Sequence, residues 1–232
     1  MGLMNMRKTA ASFLSLVVLL GAGACSTDND SKQETATEST CEKLLGEAGV
    51  EWVKNNTVGE TGVSPDSDTL ESAKSLFHKQ ARSWKPSTEE VPTFSNSELC
   101  QVVKTGSPSG ESLSIRYGAS VVPFDHPFDQ DSPSTPARTV TPINTDVKLV
   151  HGKDSKEKSK YYVYVRCQVE GASTAQRDEV PLEGVMTDSL TEKEAVDARL
   201  KYLLQSARAV TRGFQCQNAP KVPLSIADRG TH

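Results

Sequence analysis

The chain has 232 residues, 36% of them hydrophobic and 6% aromatic, with a formal net charge of −4. That is enough apolar material for one core or two small ones. Arg7 and Lys8 are the only charges before Cys25, so the remainder alone carries −6, and with no basic run this composition argues against nucleic acid or an acidic membrane surface as partner.

The first 24 residues read as an export signal. MGLMNMRK supplies two positive charges, Thr9 to Ala24 is uncharged, and the apolar centre FLSLVVLL has only eight residues. A bilayer-crossing helix needs about 20. A basic start, a short apolar stretch and small residues after it form a secretory signal. Met6 stands where a myristoylation signal needs Ser or Thr, and no twin-arginine pair is present. Ala22-Gly23-Ala24 fits ordinary signal peptidase, and with Cys25 it also resembles the lipobox of bacterial lipoproteins, although Ala22 replaces the usual Leu. Three fates are open: lipid attachment at Cys25, release after cleavage, and an uncleaved signal anchor. The first is favoured, because residues 25–40 (CSTDNDSKQETATEST) are polar and suit a disordered tether.

Cys41 begins the folded part. CEKLLGEAGVEWVKNN reads as a short helix capped by Ser39 or Thr40. After a turn-rich stretch, DTLESAKSLFHKQARSW places Leu70, Ala73, Leu76, Phe77, Ala81 and Trp84 on one helical face, and Pro86 ends it. LCQVV and SLSIRYGASVV form a hairpin around a Gly/Ser/Pro loop. Residues 122–144 hold five prolines and read as a linker or long loop between an N-terminal half, 41–121, and a C-terminal half, 145–223. That second half begins with strands at TDVKLV and YYVYVRCQV around a charged tip, HGKDSKEKS, and adds a third at EVPLEGVM. Thr191 and Glu194 make a capping box for a helix carrying Val196, Leu200, Leu203, Leu204, Ala207 and Val210 on one stripe. Gly213 is the expected stop, FQCQ a last short strand, and 224–232 a loose tail. The expected fold class is α+β, as two small lobes or one bilobed domain, with antiparallel strands packed by amphipathic helices.

Cys25 apart, four cysteines remain, and an even number in an exported chain suggests two disulfides. Of three pairings, Cys41–Cys100 with Cys167–Cys216 is favoured, since each bridge then staples one half. No C-x-x-C occurs and no cysteine has a histidine at metal-ligand spacing.

Chemistry is sparse. His78 lies on a helix where a surface position is the default, His151 at a strand end, and His232 at the terminus. His126 has company in FDHPFDQD, with Asp125, Asp129 and Asp131, but the spacing is not that of an EF-hand loop. Ser155 and Lys158 satisfy S-x-x-K in a charged loop without the shelter that would lower a lysine pKa. No G-x-S-x-G, H-E-x-x-H or phosphate-cradling glycine loop is present. Trp52 and Trp84 could line a groove, with Trp84 better placed on its helix's buried face. No catalytic residue, metal ligand or cofactor is therefore assigned.

The Cys25 lipobox, the polar stretch after it, CEKLLG, LCQVV, YVRCQVEG and the helix running into GFQCQNAPKVP together resemble lipoproteins of the actinobacterial cell envelope. The resemblance implies a diacylglyceryl group of palmitate type on Cys25 and a disulfide-bonded domain on the outer side of the cell membrane. The expected role is a binding or interaction module for an envelope protein or small ligand. The alternative is a surface-held hydrolase of wall polymer or peptide using His126 with Asp125 or Asp129.

Overall fold

The alternating runs LSIRY and YYVYV sit near the middle of one seven-stranded antiparallel sheet. The computed structural model describes residues 38–86, 92–106, 110–126, 128, 138–153, 159–191 and 196–226. The signal, Cys25, most of the expected tether, Asp129, Asp131, the S-x-x-K pair, Glu194 and His232 lie outside them. The strands are β1 (Thr61–Val63), β2 (Asn96–Lys104), β3 (Ser112–Ala119), β4 (Thr139–Pro142), β5 (Val147–Lys153), β6 (Ser159–Val165) and β7 (Leu182–Asp188). The helices are α1 (Thr40–Asn55), α2 (Leu70–Ser83), the short α3 (Gln176–Glu179) and α4 (Val196–Phe214). Strand order is β1-β2-β3-β7-β6-β5-β4.

The two expected halves are the two ends of this sheet. β3 pairs with β7 from Leu113↔Asp188 to Ala119↔Leu182, which joins them strand to strand. Either half alone would leave a long apolar strand with an open edge, and mutual pairing removes both edges. The helices seal the join, because α4 packs on α1 and α2 as well as on β6 and β7. Residues from Thr37 onward accordingly form a single compact unit.

Alternation decides which face the long helices take. Leu113, Ile115 and Tyr117 of β3, Leu182 and Met186 of β7, and Val163 and Val165 of β6 point to one side. They share a core with Leu44 and Leu45 of α1, Phe77 and Ala81 of α2, and Leu203, Leu204 and Phe214 of α4. Tyr117 brings a polar atom into this core; its buried hydroxyl meets Ser206 Oγ at 2.7 Å. Gly184, opposite Tyr117, is fixed by contact, since a Cβ there would come 2.4 Å from the Tyr117 ring.

Several boundaries differ from the sequence expectation. Ser39 is the cap of α1, with reciprocal bonds to Glu42. Gly46, at φ 65°, breaks that helix, and the neighbouring Leu45 carbonyl takes the Gln205 amide at 2.7 Å. Gly213 lies inside α4 and does not end it; the left-handed residue is Gln215, at φ 56°. FQCQ is not a strand, because Phe214 completes the helix and Cys216 sits in a turn closed by Ala219 N–H to its carbonyl. β1, β4 and α3 went unpredicted; the strands have only three and four residues. The disulfides are Cys41–Cys100, tying α1 to β2, and Cys167–Cys216, tying the chain after β6 to the end of α4.

Candidate functional site

The opposite face of the sheet carries none of the three long helices. Cross-strand register arranges its side chains in rows. One row runs Asn96, Gly118, Glu183, Tyr164, Lys148, Pro142 across six strands. The next runs Glu98, Arg116, Val185, Tyr162, Val150, Val140.

Part of this face is covered by the segment after β3. Phe124 and Phe128 pack with Val150 and Tyr164 in a second, smaller core. Phe128 lies 5.0 Å from the Tyr164 ring, and Lys148 stands over Phe124 at 4.5 Å. Arg166 fastens the segment: its guanidinium stacks on Phe124 and bonds Asp125 and Asp178. The expected linker thus lies along the sheet in its described part and does not space two bodies apart. The β2, β3 and β7 portion of the face has no such aromatic cover among the described residues; Arg116 is exposed there, paired with Glu98 at 2.7 Å.

At the boundary between covered and uncovered parts sits Glu183. Its carboxylate accepts from Ser120 Oγ at 3.2 Å and from the Asn96 side chain. Asn96 reaches it by lying over Gly118, where a Cβ would fall 2.1 Å from the Asn96 oxygen. The buried Tyr164 hydroxyl faces the same carboxylate without reaching ordinary hydrogen-bond geometry. Burial raises the Glu183 pKa above the usual carboxylate value, although the Tyr164, Ser120 and Asn96 contacts and the Arg138 charge pull the other way. Burial likewise drives the Tyr164 phenol well up, and the Glu183 charge adds to that. Arg138 stacks over Tyr162 at 4.8 Å. A carboxyl that holds its proton to higher pH than a surface glutamate can donate as well as accept a hydrogen bond, which suits recognition of a polar ligand.

Of the constellation read from the sequence only His126 and Asp125 are described, and no hydrogen bond joins them; Asp129 and Asp131 lie outside the described residues. His126 is exposed, edge-on to Phe128 at 4.9 Å, while Asp125 is taken by Arg166. His151 stacks on Tyr161 with its Nδ1 buried and unpartnered. His78 is half-buried, not on the open surface, and its Nε2 lies 2.8 Å from the Phe214 carbonyl. Trp52 packs against Tyr202 at 5.1 Å, and both Trp52 and Trp84 are partly buried against the main core. No group of three or more His, Cys, Asp or Glu is placed to hold a metal among the described residues, and no described helix is long and apolar enough to cross a membrane.

Sequence reasoning missed Glu183, Asn96, Gly118 and Tyr164. They come from four strands and share no local spacing. The one available signal was an acid inside the apolar run VPLEGVM. No protein-family model, curated protein or solved structure matches the chain.

Proposed function

We propose that the chain is an exported lipoprotein, anchored through a lipid on Cys25 to the outer side of the cell membrane, whose domain binds a ligand or partner protein on the helix-free sheet face. The observation that supports binding there is Glu183. Its carboxyl is held among Asn96, Ser120 and Tyr164 on that face, where burial disfavours its charge. A carboxyl with a raised pKa and convergent polar partners on an open face is a candidate binding group.

The anchoring half rests on the short signal, the small residues before Cys25, and the pairing of the other four cysteines with one another. Cys25 is then the odd thiol in an exported chain. The polar composition of residues 26–38 suits a spacer, two residues shorter than expected because Ser39 caps α1 and Thr40 begins it, with a reach of roughly 20 Å for a coil of that length. Cys25→Ser tests this half: the lipid mass is expected to vanish and the protein to move from the membrane fraction to the medium. An unchanged membrane fraction would overturn it.

A further inference from the structure

α2 gathers cations that the sequence spaces apart. From Leu70 to Lys85 the chain carries Lys74, Lys79, Arg82 and Lys85 against one acid, Glu71, in a protein whose total charge is −4. Steps of four along the helix align Lys74, His78 and Arg82, with Ser75, Lys79 and Ser83 in the adjoining row. These six side chains line an open, shallow groove along the exposed side of α2.

Two of the cations are positioned by neutral oxygens. Lys74 Nζ donates to Gln215 Oε1 at 2.8 Å, and Arg82 Nε to the Glu170 carbonyl at 2.8 Å. His78 between them is held by the Phe214 carbonyl at the same distance. Neutral acceptors fix the side chains without cancelling their charge, and they leave most of the ammonium and guanidinium donors unused. Lys74, Lys79 and Arg82 have no carboxylate partner among the described residues. The residue that holds Lys74, Gln215, has a left-handed backbone at φ 56°, a conformation that costs a non-glycine residue about 1 kcal/mol.

We propose that this groove binds a phosphate group. Two lysines supply point charges, the planar Arg82 fork offers paired donors, and the Ser75 hydroxyl adds a further one, while the Ser83 hydroxyl is spent on the Gln80 carbonyl at 2.8 Å. This site is separate from the helix-free sheet face and does not depend on the anchor at Cys25. The cations are spaced three to five residues apart, so they form no basic run in the sequence, yet the helix brings them to one side.

The test uses the exported chain with Cys25→Ser, isotope-labelled, titrated with inorganic phosphate in one arm and with phosphatidylglycerol vesicles in the other. Saturable shifts of the residue 74–83 amides in phosphate solution, with no vesicle binding, support the site with a soluble phosphate ester as its ligand. Vesicle binding that phosphate competes away supports a lipid headgroup. Absence of both responses overturns the proposal. Removing three cations (K74Q, K79Q and R82Q together) is expected to weaken the observed binding roughly a hundredfold, at about fivefold per cation. The same charge removed elsewhere (K43Q, K54Q and K221Q together) is expected to cost much less. Equal losses in the two triple variants would mean that net charge, not the groove, is responsible.

Discussion

At the scale of single residues the decisive group is Glu183. Its pKa in the folded chain is raised above the reference value of 4.5 by burial. The folded state therefore binds more protons than the unfolded state once pH exceeds that reference. Stability from this group is greatest below 4.5 and falls as pH rises through the folded value. Glu183→Gln keeps the shape and most hydrogen bonds but cannot ionise. The variant is expected to be more stable than the parent at pH 7, with a higher Tm, and to lack the parent's loss of stability above pH 4.5. Thermal unfolding of both chains from pH 4 to 8 measures this; a less stable variant at pH 7 would contradict the assignment. The residue was invisible as a site in the sequence because its environment is made by partners 63 and 19 positions away in Ser120 and Tyr164. No local pattern records such a meeting.

At the scale of elements, α4 is fastened to β7 by one buried ion pair. Arg199 Nε donates to Asp188 Oδ2 at 2.6 Å, with side-chain exposures of 4% and 0%. Thr191 joins them, donating its hydroxyl to Asp188 and accepting from Arg199. Arg199→Met leaves the Asp188 charge buried without its cation, and such breaks cost about 3–5 kcal/mol. Chemical denaturation should register a loss of that order, whereas a loss under 1 kcal/mol would show that the pair is not what holds α4. Amphipathic stripes made α2 and α4 legible in the sequence, and alternation did the same for β3, β6 and β7. The elements that escaped prediction, β1 and β4, are short edge strands whose pairing comes from neighbours and not from their own residues. The end of α4 was misplaced for a related reason. The Cys216 bridge and the contact of Gln217 with Gln168 fix the chain's exit, and Gln215, not Gly213, takes the left-handed backbone.

At the scale of the whole molecule, two α+β halves are one sheet with helices on one side. The α+β class was legible because periodicity depends on short stretches of chain, and both disulfides because an even cysteine count was combined with pairing inside each half of the sequence. The merger was not, since Leu113 and Met186 look equally apolar whether they close separate cores or a common one. With the long helices confined to one face, the proposed function puts the partner on the β2–β3–β7 part of the other. The most direct measurement places a photo-reactive side chain at exposed Arg116 on that face, in living cells, with a second at exposed Glu47 on the outer side of α1 as control. A discrete crosslinked species from position 116, absent from position 47, is the expected result. No adduct at 116, or the same adducts from both positions, would contradict binding on the helix-free face.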